Sequence, residues 1–150
     1  MKPSSENGWL AEHVSVLLDS FRELTGCDLI EAGDGPVETA RRVFEAPFFV
    51  ASHDGADDPV LTYGNRCALE LFEMDWEDFV KTPSRFTAEA PNREERQRLL
   101  TAVSEKGFID DYCGVRISAK GRRFRIRKAT VWSVAATNGQ AATFAEWEDL

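Results

Sequence analysis

The chain has 150 residues, of which 43% are hydrophobic and 29% charged. That is the size and composition of one globular domain able to bury a core without a disulfide or metal staple. Its net charge of −8 disfavours a phosphate backbone or an anionic membrane surface as partner.

In chain order, residues 9–25 read as a helix. Leu10, Val14, Leu17, Phe21 and Leu24 step by 4, 3, 4 and 3 residues, an a/d seam, and Gly26 follows as a stop. The seam is about two heptads long and suits either packing on its own domain or pairing with a second copy. Gly33 and Gly35 mark a loop, and a second short helix spans about residues 37–44 before Pro47. Phe48–Ala51 and Pro59–Tyr63 are short strands around the His53–Asp58 turn. Asn65 caps a helix over residues 66–72, and Asp75 caps a turn carrying Trp76, Phe79 and Val80. Asn92, with Glu95 three residues later, opens a helix over 93–106 that Gly107 stops.

The last third predicts strands joined at Lys120–Gly121 and Asn138–Gly139. As two-residue loops, these turns set Ile117 opposite Phe124, Val115 opposite Ile126, Trp132 opposite Ala145 and Thr130 opposite Trp147. All of these share one face, which is then the core face. The expected fold is α+β, a five-stranded antiparallel sheet with helices packed on one face, preceded by N-terminal helices. Residues 1–46 form the helical extension and 47–150 the domain proper. Two strands, a helical middle and a three-stranded meander follow the order of a PAS domain.

Tyr63–Phe79 (YGNRCALELFEMDWEDF) resembles the PAS signature in which a strand ends in Tyr-x-Asn and a short helix carries Ala and Leu-Phe. A longer run is similar to the MEKHLA family. It comprises Ser52–Asp54, Asp58–Pro59, Pro83–Arg85, Asn92–Arg96, Gly107–Asp110, Gly114–Ile117, Gly121–Ile126, Val131–Trp132 and Gly139–Phe144. The resemblance covers roughly residues 45–147. It implies a PAS-like regulatory sensor or protein-interaction module of the stand-alone bacterial type. The family also occurs as the C-terminal domain of plant class III homeodomain–leucine zipper factors, where it is tied to dimerisation or to a light, redox or small-molecule response. It brings no agreed catalytic residues, and none is carried over.

The residues agree in offering no catalytic constellation. GxGxxG, GxxxxGKS, HExxH and GxSxG motifs are missing from the sequence. His53 lies near Asp54, Asp57 and Asp58, as a turn residue, a base or a pH switch. The competing enzyme reading is a cone-shaped α+β barrel of the isomerase and dehydratase type using His53 and a nearby Asp. In that reading His53 points into a deep cavity, whereas in a sensor it points to solvent. Cys27, Cys67 and Cys113 are too widely spaced for a disulfide framework or a zinc site. Asn65–Cys67 does not match the Asn-Cys-Arg-Phe-Leu-Gln run of flavin photosensors, so Cys67 reads as a small core residue.

In the register above, Asp111, Cys113, Lys128 and Thr130 interrupt the apolar row beside Trp132. They line a ligand pocket, or a rim with a Lys–Asp pair. Arg116, Arg123, Arg125 and Arg127 gather on the opposite face as a docking patch, unless Glu146 and Glu148 pair with them internally. The expected function is a cytoplasmic sensory or interaction module acting through small-ligand binding, dimerisation or both. Its partner is a second copy or another signalling protein, with no nucleic acid, membrane, metal or enzymatic role, and the sequence names no cofactor.

Overall fold

The computed structural model describes residues 1–150, the side chains of 90 and 91 excepted. A 3-10 stretch, Ser5–Leu10, leads into α1 (Ala11–Thr25), which ends at left-handed Gly26, φ 75°. Then come α2 (Pro36–Glu45), β1 (Phe49–His53), β2 (Leu61–Gly64), α3 (Arg66–Phe72) and α4 (Trp76–Phe79). A 3-10 turn, Ser84–Thr87, precedes α5 (Ala90–Lys106). The remainder is β3 (Phe108–Ile117), β4 (Arg123–Val134), β5 (Gly139–Phe144) and β6 (Glu146–Asp149). All pairings are antiparallel, in the order β2-β1-β5-β4-β3, with β6 continuing beyond β5 along the first half of β4. This is the expected α+β sheet, with β6 as an additional short strand.

Asn65 ties three elements together. Its Oδ1 accepts from Val50 N–H and Ala68 N–H, each at 3.1 Å. Its Nδ2 donates to the carbonyls of Val43 at 3.0 Å and Phe48 at 2.8 Å. It is fully buried, so one side chain caps α3 and pins both β1 and the end of α2. The other expected asparagine cap is corrected. Helix α5 starts earlier, with Glu89 at its N-cap, and the Asn92 N–H already bonds the Glu89 carbonyl at 2.8 Å.

The two hairpins correct the expected register. Ser118 N–H bonds Arg122 O at 2.8 Å and Gly121 N–H bonds Ser118 O at 3.1 Å, while Gly121 sits at φ 90°. This is a three-residue loop with a left-handed glycine, not a two-residue turn. It pairs Arg116 with Phe124 and Ile117 with Arg123. A one-residue slip turns every β3 side chain to the other face, so Arg116 points inward and Val115 and Ile117 outward. The second loop spans residues 135–138 and pairs Trp132 with Ala141, not Ala145.

Two bulges complete the pattern. Between Tyr112↔Ala129 and Gly114↔Ile126, the single residue Cys113 faces both Arg127 and Lys128, and Lys128 adopts φ 51°. Beyond it, Asp110 and Asp111 face only Thr130, which restores the count. The first bulge brings Ala129 and Val131 inward and sends Thr130 and Trp132 outward.

Helices α3–α5 cover the inner face, and the N-terminal helix α1 covers the outer one. On the outer face α1 buries Val14, Leu17 and Phe21. The Phe21 ring meets Trp132 edge-on at 5.0 Å, and Trp132 Nε1 donates to Ser20 Oγ at 3.0 Å. His13 Nε2 lies 3.2 Å from Ser52 Oγ. Three residues of the proposed dimer seam are thus taken up within the chain. Leu10 is half-buried and Leu24 is 36% exposed. Among the described residues, no helix is long and apolar enough to cross a membrane.

Candidate ligand cavity

The register decides which side chains reach the space between the inner sheet face and helices α3–α5. The sheet contributes Phe49, Ala51 and His53 from β1, Tyr112 and Arg116 from β3, and Ile126 and Val131 from β4. Gln140, Ala142 and Phe144 come from β5. Phe72 of α3, Ser84 and Thr87 of the 3-10 turn, and Arg96, Leu99 and Leu100 of α5 close the other side. Together they line a cavity of about 90 Å³. A cavity of ~150 Å³ takes benzene, so this one suits a still smaller guest and has no room for a flavin or a haem.

Two cations stand in its apolar wall. Arg96 is 6% exposed and Arg116 8%. Arg96 Nη2 donates to Ser84 Oγ. Arg116 Nη1 donates to Val115 O at 2.9 Å, and its guanidinium lies 5.4 Å from the centre of the Tyr112 ring. Among the described residues neither arginine forms an ion pair. Each guanidinium carries five N–H donors, so most remain without a protein partner. Burial first, and the neighbouring Arg116 charge second, lower the Arg96 pKa to about 10. The Arg96 charge therefore persists at neutral pH.

The acceptors in the wall are fixed by their other contacts. His53 Nδ1 faces the Asp54 carbonyl at 2.8 Å, which makes Nδ1 the protonated nitrogen and Nε2 a bare acceptor. That Nε2 is buried without a hydrogen-bond partner, as is Gln140 Oε1. Gln140 Nε2 donates to Leu100 O at 2.9 Å and faces Ser104 Oγ at 3.1 Å, so its amide orientation is set. Burial, the largest cause, holds the His53 pKa below the usual histidine value. The nearby acid is engaged elsewhere: Asp54 Oδ1 accepts from Ala56 and Val60 N–H at 3.2 and 3.0 Å.

The residues expected to line a pocket lie elsewhere. Asp111, Cys113 and Lys128 are exposed, and Lys128 Nζ sits 3.5 Å from Glu146. Thr130 faces Thr143 on the outer side, and Trp132 lies under α1. The slip at Gly121 and the bulge at Lys128 together account for all five. The arginine patch is also rearranged. Arg116 leaves it for the interior, Arg123 pairs with Glu89 at 2.7 Å, and Arg125 and Arg127 share Glu148. Contrary to the expectation for a sensor, His53 faces the cavity. The open sheet, with β2 and β3 at its edges, is nevertheless not a barrel, and among the described residues His53 has no carboxylate partner there.

Sequence reasoning missed Arg96 and placed Arg116 on the wrong face. The usable signal is an arginine on the face of α5 that also carries Leu99 and Val103, at steps of 3 and 4.

Solved structures with this architecture include a PAS domain of a protein from Colwellia psychrerythraea. It is 13% identical, with a TM-score of 0.60 over 75% of this chain and 94% of that one. A fungal LOV domain photoreceptor matches at 14% identity and a TM-score of 0.58, covering 91% of each chain. The PAS domain of a LuxR-family transcriptional regulator from Burkholderia thailandensis, solved in complex with ethanol, matches at 17% identity and a TM-score of 0.56. It covers 73% of this chain and 95% of that one. These likenesses establish the PAS fold. No curated protein matches the chain. The model of the MEKHLA domain matches residues 11–149, from the start of α1 to the end of β6, and the chain therefore belongs to the MEKHLA domain family.

Proposed function

We propose that this domain is a sensory module that takes up a small molecule between sheet and helices and reports it to another signalling protein or to a second copy. The observation that carries the reading is a pair of buried arginines without an acidic partner in the wall of an otherwise apolar cavity. A purely structural core gains nothing from them. Burial strips each charge of hydration, and the like charges add repulsion. A ligand that supplies the missing contacts gives the pair a use. The PAS fold, seen here in sensory and regulatory relatives, supports the same reading.

The enzyme alternative has less behind it. His53 offers a bare nitrogen to the cavity, but among the described residues no hydroxyl, thiol or carboxylate is hydrogen-bonded to it. Catalysis would require a dyad that the cavity wall does not assemble.

The test is amide hydrogen exchange of the full chain with and without a small-molecule extract of bacterial cells. The expected result is added protection in β4, β5 and α1. Ala142→Leu, which fills the cavity from β5, should abolish the response. An extract that changes nothing, or one that acts equally on the filled variant, overturns the reading.

A further inference from the structure

We infer that the cavity takes the carboxylate of a short aliphatic acid, held between Arg96 and Arg116, a proposal that rests on the small-molecule reading above. Charge selects the head group. Two guanidiniums, each more than nine-tenths buried, one bonded to Ser84 and the other to the Val115 carbonyl and beside Tyr112, keep donors to spare and call for an anion. Their planar forks match a carboxylate edge, and such charge-assisted pairs are the stronger hydrogen bonds. The other polar groups confirm where the head goes. His53 Nε2 and Gln140 Oε1 are bare acceptors that repel an anion and turn it toward the arginines.

Volume and walls select the tail. The cavity of about 90 Å³ equals roughly three water volumes at ~30 Å³ each. That admits a molecule of about three to five non-hydrogen atoms. Phe49, Phe72, Leu99, Ile126 and Val131 give it apolar walls. An inorganic anion would leave these walls facing water, and a neutral alcohol would leave both arginines unpaired. A two- or three-carbon acid, at about this volume, satisfies both demands.

Propionate is the probe. The full chain is titrated calorimetrically with sodium propionate at an ionic strength held constant with sodium chloride. Parallel titrations use sodium sulfate and 1-propanol, which lack the tail and the charge respectively. The expected result is saturable binding of propionate alone, weakened about 10- to 100-fold in either Arg96→Gln or Arg116→Gln. Should a variant fail to fold, the contrast between propionate and propanol in the unaltered protein decides the matter. Equal binding of propionate and propanol, displacement of propionate by sulfate, or no binding at all overturns the proposal. A cell-extract response that persists while propionate is silent sinks only the carboxylate. Silence of both sinks the sensor reading as well.

Discussion

Replacing Asn65 with alanine should destabilise the fold more than its position at the start of a short helix suggests. The side chain makes four hydrogen bonds, two accepted and two donated, to the backbones of α2, β1, α3 and the segment before β1. Loss of an N-cap alone costs about 0.5–2 kcal/mol. Here the substitution also strands the Val50 N–H, and the carbonyls of Val43, which is buried, and Phe48, which is half-buried, each lose a donor. Each buried polar group left unpaired adds about 1–3 kcal/mol. Allowing for partial relaxation, the expected loss is about 4 kcal/mol. In a domain of this size that lowers the melting temperature by about 10 °C. Asn92→Ala provides the control, because the structure gives that residue no capping role, and a surface change of this kind stays within about 0.5 kcal/mol. Urea denaturation of both variants measures the contrast. Equal losses, or a loss at Asn65 below about 1 kcal/mol, would refute the account of Asn65 as a three-element tie.

Two further outcomes follow from charge. Arg116→Met should leave the ligand-free protein at least as stable as the original, because it removes one of two like charges from an apolar wall. A lower melting temperature in that variant would show that Arg116 holds the fold together. Both imidazoles have pKa values lowered by burial from 6.5. The unfolded chain therefore takes up these protons first. Stability is complete above about pH 6.5 and declines as the pH falls through the lowered native values. Denaturation midpoints taken at about pH 8 and about pH 5.5 should show the decline, with a smaller slope in His53→Gln. A flat profile would mean that neither ring is held neutral by burial.

Much of the fold was legible because local signals agreed with one another. The Tyr63–Asn65 strand end, the Asn65 cap, the Gly107 stop and two glycine turns marked most element boundaries. The inner wall was not legible, and the reason is parity. Lys120–Gly121 signals a turn but not its length, and one extra loop residue exchanges the faces of β3. Asn138–Gly139 erred by an even number and so kept β5 in phase with Trp132, but the bulge at Lys128 turns that shared face outward and leaves Gln140, Ala142 and Phe144 on the inner side. Lys128 carried no mark at all, since lysine seldom adopts a left-handed backbone and nothing nearby announces the bulge. Arg116 thus read as surface, and Arg96 as one charge among many on a polar helix.

The bulge at Lys128 also sets how thin the partition is between the two sides of the sheet. Val131 is part of the cavity wall, and its neighbour Trp132 rests against Phe21 and Ser20 of α1. A single peptide unit separates the interior from the underside of that helix. A guest that pushes on Val131 therefore has no intervening layer in which its effect can dissipate. The tryptophan is the nearest rigid body, and the helix resting on it is the first part of the surface to feel the displacement.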